Sequence, residues 1–152
     1  MLKYLALTTF AFILVVCLGE DANTYEFKDV PTDPEERELF FEQLRQSEEV
    51  TTLLLGEGAY LKFSQEFKPP LVGHMAWFIG DEYVQVGAGV NDTQLSLSEF
   101  NDLLENFTKG RRLSGGGPVN WIWLKNEASN EYVREVLKLF SENGIHTFCT
   151  TP

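Results

Sequence analysis

The chain has 152 residues, 43% of them hydrophobic and 13% aromatic, which is enough for one domain with a sizeable core and too little for two comfortable ones. The net charge of -11 argues against nucleic acid as a partner, because phosphate contacts need clustered Lys and Arg and the only basic doublet is Arg111-Arg112. The same charge is repelled by anionic lipid head groups, and it suits solubility or a basic partner.

Residues 1–19 read as a targeting segment. Lys3 gives the short leading region one positive charge, Tyr4 to Leu18 run without a charge, and Glu20 and Asp21 end the run. That length suits the apolar part of a signal peptide and falls short of the roughly 20 residues that span a bilayer. Cleavage after Gly19 would leave Cys17 and Gly19 at the small-residue positions. The alternatives are an uncleaved anchor to the inner membrane through residues 4–18, a lipoprotein at Cys17 (Val16 stands where a small residue is wanted), and a buried helix. The expected location is therefore the periplasm or the medium. With Cys17 removed, Cys149 has no partner for an internal disulfide and reads as a small buried hydrophobe.

Residues 20–31 are polar with scattered aromatics and read as a linker. The segment 32–69 holds a helix and a connection. Thr32 or Asp33 caps the helix, Pro34 suits its first turn, Glu35 and Glu36 complement its dipole, and Leu39, Phe40 and Leu44 form its apolar side, with Phe41 and Val50 extending the stripe. An end near Ser47 or Glu48 is expected. Val50 to Leu55 suits either strand or helix, Gly56-Glu57-Gly58 breaks it, and Ala59 to Phe67 alternates as a strand. Pro69-Pro70 marks a boundary.

The segment 70–152 reads as one α/β domain in the order ββαβαβ. Leu71 to Ile79 is an apolar strand, Gly80-Asp81 a turn, and Glu82 to Ala88 a returning strand with Val84 and Val86 on one face. Ser96-Leu97-Ser98-Glu99 is a capping box opening a helix whose face is Leu97, Phe100, Leu103, Leu104 and Phe107, with Gly110 as its stop. Val119 to Leu124 is a strand with Val119, Trp121 and Trp123 on one face. Ser129 or Asn130 caps a helix with the stripe Tyr132, Val133, Val136, Leu137 and Phe140. Gly144 ends it, and Ile145 to Cys149 closes as a strand parallel to Val119–Leu124. The expected fold is α/β (α+β): a small mixed sheet with two amphipathic helices on one face, preceded by an N-terminal helix.

Few residues in this pattern carry chemistry. Ser114-Gly115-Gly116-Gly117-Pro118 precedes a strand and lacks a following Lys, so it reads as a flexible loop and not a phosphate cradle. His74 and His146 lie in apolar runs with no second ligand at metal spacing, so neither metal nor cofactor is expected. His146 and Cys149 differ by three, which puts them on opposite faces of a strand. The many carboxylates fall on polar faces and nominate no acid–base pair, so no catalytic residue is assigned. Core packing is the favoured reading of Trp77, Trp121 and Trp123, and the alternative is that they line a ligand or partner surface. Asn91-Asp92-Thr93 and Asn106-Phe107-Thr108 match N-glycosylation sequons.

From about Trp77 onward the chain resembles the periplasmic domain of the ExbD/TolR biopolymer-transport family. The resemblance is carried by Gly87-Ala88-Gly89-Val90, by Leu95-Ser96-Leu97-Ser98-Glu99-Phe100 with Leu103-Leu104, by Pro118-Val119-Asn120-Trp121-Ile122, and by Tyr132-Val133-Arg134-Glu135-Val136-Leu137 with Asn143-Gly144-Ile145. It covers about half the chain and implies the fold, an envelope location and binding to other protein surfaces, as an envelope partner or a homodimer. The family's transmembrane aspartate has no counterpart in Tyr4 to Leu18, and Asn126 stands near where the family often has an aspartate. The resemblance therefore does not extend to proton-driven work. The expected function is that of an exported, non-enzymatic interaction protein. The alternatives are a secreted small-ligand-binding protein with Trp77–Phe78 and Trp121–Trp123 as a pocket wall, or a hydrolase built from scattered carboxylates.

Overall fold

The computed structural model describes residues 23–64, 76–87, 93–114 and 121–149. In chain order they form β1 (Thr24–Glu26), one 3-10 turn (Phe27–Asp29), α1 (Pro34–Gln46), β2 (Thr51–Gly56), β3 (Ala59–Ser64), β4 (Ala76–Ile79), β5 (Val84–Gly87), β6 (Gln94–Leu95), α2 (Leu97–Ser114), β7 (Trp121–Leu124), α3 (Asn130–Glu142) and β8 (Thr147–Cys149). The fold is α+β, with three helices and two mixed four-stranded sheets. Residues 71–75 of the strand expected over Leu71 to Ile79 and residues 65–67 of that expected over Ala59 to Phe67 lie outside the described residues, as do Pro69-Pro70 and the targeting segment. Among the described residues no helix is long and apolar enough to cross a membrane.

The helix ends follow local chemistry. Asp33 accepts hydrogen bonds from the Glu35 and Glu36 amides at 3.0 and 3.1 Å, which satisfies donors that the first turn of α1 leaves open. Ser96 and Glu99 form the reciprocal box: the Ser96 amide donates to Glu99 at 2.8 Å, and the Glu99 amide donates to the Ser96 hydroxyl at 3.4 Å. Ser129 accepts from the Tyr132 amide to open α3. At the other end of α3, Gly144 adopts φ 77°, the Ile145 amide reaches back to the Phe140 carbonyl and the Gly144 amide to the Ser141 carbonyl. These two bonds are the Schellman closure, and a left-handed residue is needed to make them. Gly110 does not stop α2, which continues to Ser114. One glycine inside a helix costs only about 1 kcal/mol, less than the helix gains from its packed face.

The stripe on α1 differs from the expectation. Phe41 and Leu44 are buried, Phe40 is half-buried and Leu39 is 63% exposed. Arg37 occupies the inward position one turn before Phe41 and is 2% exposed. A 3.6-residue period selects a side of the helix, but a long cationic side chain can share that side if its donors are met.

The first sheet has the order β1-β2-β3-β8, with β1–β2 and β3–β8 parallel and β2–β3 antiparallel. Glu57 and Gly58 turn the β2–β3 hairpin at φ 55° and 80°, the two positive angles a two-residue hairpin loop needs. Lys138 of α3 pairs with Glu57 at this tip. Thr24–Glu26, expected as linker, forms the edge strand of this sheet, and Val30 behind it is buried. β3 precedes residue 70 and β8 follows it, yet they pair, so the segments 32–69 and 70–152 share one sheet.

The second sheet has the order β6-β5-β4-β7. β4 and β5 form the expected hairpin, with Trp77 opposite Val86 and Ile79 opposite Val84. β7 lies parallel to β4, and β8 belongs to the first sheet, so the crossover through α3 joins two sheets instead of two neighbouring strands. Phe140 of α3 sits where the two sheets meet. Its ring lies edge-on to Trp77 at 5.4 Å, to Phe100 of α2 at 5.2 Å and to Phe148 of β8 at 5.3 Å. One hydrophobic core therefore runs through both sheets. Edge-to-face rings add to that burial because the positive ring edge meets a negative face.

A polar staple ties α1 to the turn between β7 and α3. Arg37 donates to the Ala128 carbonyl at 2.6 Å, to Asn130 Oδ1 at 2.7 Å and to the Lys125 carbonyl at 3.1 Å. The Asn130 amide donates in turn to the Val30 and Pro31 carbonyls at 3.2 and 2.9 Å. Burial lowers the Arg37 pKa from its usual value while Glu38 opposes the shift, and guanidinium still keeps its charge at neutral pH.

Candidate functional site

Alternation along β4, β5 and β7 divides the second sheet into two faces. On the inner face Trp77 and Ile79 are fully buried beside Ile122 and Val84, and α2 and α3 cover them. On the outer face Phe78, Gln85 and Trp123 stand in register across three strands. Phe78 and Trp123 are stacked, with centroids 6.5 Å apart and planes 15° from parallel, and Trp123 remains 38% exposed.

Charged groups hold this face. The Arg45 guanidinium, at the last turn of α1, lies 4.6 Å over the Trp123 ring. Glu42 and Glu38 hold it there at 2.8 and 3.3 Å. A cation over the face of an indole is attracted by the ring quadrupole, and the two carboxylates offset the cost of shielding the charge from water. Arg45 Nη2 is buried without a hydrogen-bond partner. On the other side Lys125 Nζ lies 5.2 Å over the Tyr83 ring and 3.5 Å from Gln85 Oε1, and the Tyr83 hydroxyl donates to Glu127 at 3.3 Å. Tyr83 rests directly on Gly80, where a Cβ would meet its ring carbons at 2.2 to 2.6 Å. The result is an aromatic surface rimmed by two cations and three carboxylates.

The three tryptophans expected from the sequence thus do not form one surface. Trp77 is a core residue at 0% exposure, against the expectation that it lines a partner or ligand surface. Trp121 occupies the first position of β7, and its side chain lies outside the described residues. Trp123 alone is described on the outer face. Arg45 and Lys125 were not expected there. Lys125 shares the parity of Trp123, which is a usable signal, whereas nothing in the local sequence of α1 points Arg45 at β7.

A second arrangement joins Ser141, His146 and Tyr60. The Tyr60 amide donates to Ser141 Oγ at 3.1 Å, His146 Nδ1 lies 3.2 Å from the Tyr60 carbonyl and 3.4 Å from Ser141 Oγ, and the two rings stack at 4.5 Å. A hydrogen bond from His146 to the Tyr60 carbonyl requires the proton on Nδ1, because a carbonyl only accepts. In that tautomer the nitrogen cannot take a proton from Ser141, which a nucleophile–base pair requires. The cluster locks α3 and the approach to β8 onto β3. His74 lies outside the described residues, as does the side chain of Cys149. Among the described residues no group of three or more His, Cys, Asp or Glu could hold a metal ion.

Two depressions lined by described residues are shallow, each about 230 Å³. One lies between α2 and α3 over Leu97, Lys138 and Leu139, and the other beside β1 over Phe27, Leu54 and Leu55. Glu135 and Glu142 also line the first. No family model, no curated protein and no solved structure matches the chain.

Proposed function

We propose that this chain is an exported, non-enzymatic interaction domain that binds a protein partner, or a second copy of itself, through the outer face of the second sheet. The observation that carries the reading is the exposed Trp123, stacked on Phe78 and held under Arg45. Aromatic rings and arginine are the groups that dominate protein interfaces. A ring already fixed in place loses little freedom on binding. The charge of -11 favours a basic partner surface.

The apolar segment Tyr4 to Leu18 supports export. The resemblance of residues from about Trp77 onward to ExbD/TolR periplasmic domains supports an envelope setting with a possible link to biopolymer transport. The lack of an acidic residue in that segment keeps proton coupling out of the proposal.

The test is capture of partners from the host envelope or secreted fraction by the mature chain and by its Trp123→Ala variant, with sedimentation of each alone to detect self-association. Loss of capture, or of self-association, in a variant that keeps its circular dichroism supports the reading. Equal binding by both proteins refutes it. A second reading places a flat small ligand on the same ring pair, since a stacked indole and phenyl can take a third ring. It predicts thermal stabilisation by a ligand that Trp123→Ala abolishes.

A further inference from the structure

We infer that the outer face of the second sheet receives an arginine side chain of a partner protein, laid on Trp123 and paired with Glu38. The inference rests on the interface reading above and names the chemical group that the face selects. Its basis is the charge left over once the internal ion pairs are drawn. Arg45 meets two carboxylates, Glu42 at 2.8 Å and Glu38 at 3.3 Å, both through Nη1. At the Tyr83 end, Lys125 over the ring and Glu127 on the hydroxyl balance each other. One guanidinium against two carboxylates leaves one negative charge beside the exposed indole.

The two cations of the rim are turned away from an approaching partner. The Arg45 side chain is 11% exposed and its Nη2 is buried. Lys125 is half-buried, with Nζ over Tyr83 and near Gln85. The carboxylates differ: the Glu38 and Glu42 side chains keep 43% and 44% of their surface in water, and Glu127 is exposed. A partner therefore meets an aromatic and anionic surface, and a carboxylate brought to it is repelled by Glu38 and Glu42. Arginine suits this surface better than lysine. Guanidinium is planar and weakly hydrated, so it lies on an indole while its edge donates to a carboxylate. Arg45 shows that combination within the chain, over Trp123 and against Glu38 and Glu42. Glu38, at the longer distance, is the carboxylate that can turn to a second guanidinium while Glu42 keeps Arg45 in place.

The experiment titrates the isotope-labelled chain, followed by NMR, with a capped glycine–serine peptide that carries one arginine. Parallel titrations use the same peptide with lysine, citrulline or glutamate in its place. The Trp123 indole N–H signal, assigned by its loss in Trp123→Phe, reports binding at this face. The expected result is a saturable shift with the arginine peptide, weaker with lysine and at high salt, and absent with citrulline and glutamate. Glu38→Gln should weaken arginine binding about threefold, the usual size of one exposed ion pair, and Glu57→Gln should leave it unchanged. An equal shift with citrulline or glutamate, no shift with any peptide, or full arginine binding by Glu38→Gln overturns the inference. So does a Trp123 shift that grows with protein concentration alone, which marks a second copy as the occupant. Envelope capture that Trp123→Ala abolishes, without a preference for arginine, overturns this inference and leaves the interface reading standing. Capture unchanged by Trp123→Ala refutes both.

Discussion

Trp77 and Trp123 sit on adjacent strands of one sheet, one register position apart, and meet opposite fates. Trp77 faces inward and is closed off by Phe100, Phe107 and Phe140. Trp123 faces outward and keeps 38% of its surface in water, with Arg45 over one face. The inner ring is held by apolar burial, which is non-directional and tolerates no removal. The outer ring is held by stacking and a cation, which fix its position while leaving it available. The comparison teaches that residue type does not separate a structural tryptophan from a usable one, whereas the face it occupies does.

The largest test breaks the inner face. Trp77→Ala should cost about 3–5 kcal/mol, the usual cost of emptying an aromatic site in a packed core, measured by denaturant unfolding. Next comes the staple that keeps α1 beside β7. Arg37→Ala should cost about 3 kcal/mol, because one buried and two part-buried acceptors lose a charged donor. It should also raise the quenching of Trp123 fluorescence as Arg45 loosens from the ring. Gly80→Ala should cost about 1–3 kcal/mol, since its Cβ overlaps the Tyr83 ring and that ring must leave Glu127. Trp123→Ala should cost about 1–2 kcal/mol, well under the inner-face value, and an equal loss for the two tryptophans would erase the distinction drawn between them.

The smallest effect is a dependence on pH at the start of α2. The Ser96 amide and hydroxyl both donate to Glu99 and hold its carboxyl below the usual range. A lowered carboxylate pKa stabilises the fold above the ordinary range, and that contribution is lost as pH falls through the lowered value. Melting temperature should therefore drop as the solution is acidified below about pH 4, and Glu99→Gln should be less stable at neutral pH with a flatter acid limb. Glu57, held low by Lys138, adds to the same limb and remains in that variant.

Much of the fold was legible. The caps at Asp33, Ser96 with Glu99, Ser129 and Gly144 lie where the sequence places them, as do the face of Phe100 and Leu104 and the stripe of Val133, Val136, Leu137 and Phe140. The site was less legible. The outward parity of Trp123 could be read, but the covering of Trp77 could not be told from that of Trp123 by alternation alone. Leu39 is exposed and Arg37 takes the inward position on α1, which the sequence did not show because the carbonyls that receive the guanidinium lie about ninety residues away.

By itself the sequence determined where each helix begins, where α1 and α3 end, and which residues of α2 and α3 share a face. Caps, turns and side-chain periodicity act over four residues or fewer, so the residues in hand contain the whole interaction. Tertiary structure alone decided that β8 pairs with β3, that residues 24–26 become an edge strand, and that Arg45 comes to rest over Trp123. Those outcomes depend on which apolar faces can be covered together in three dimensions, and that is a property of the packed core and not of any segment within it.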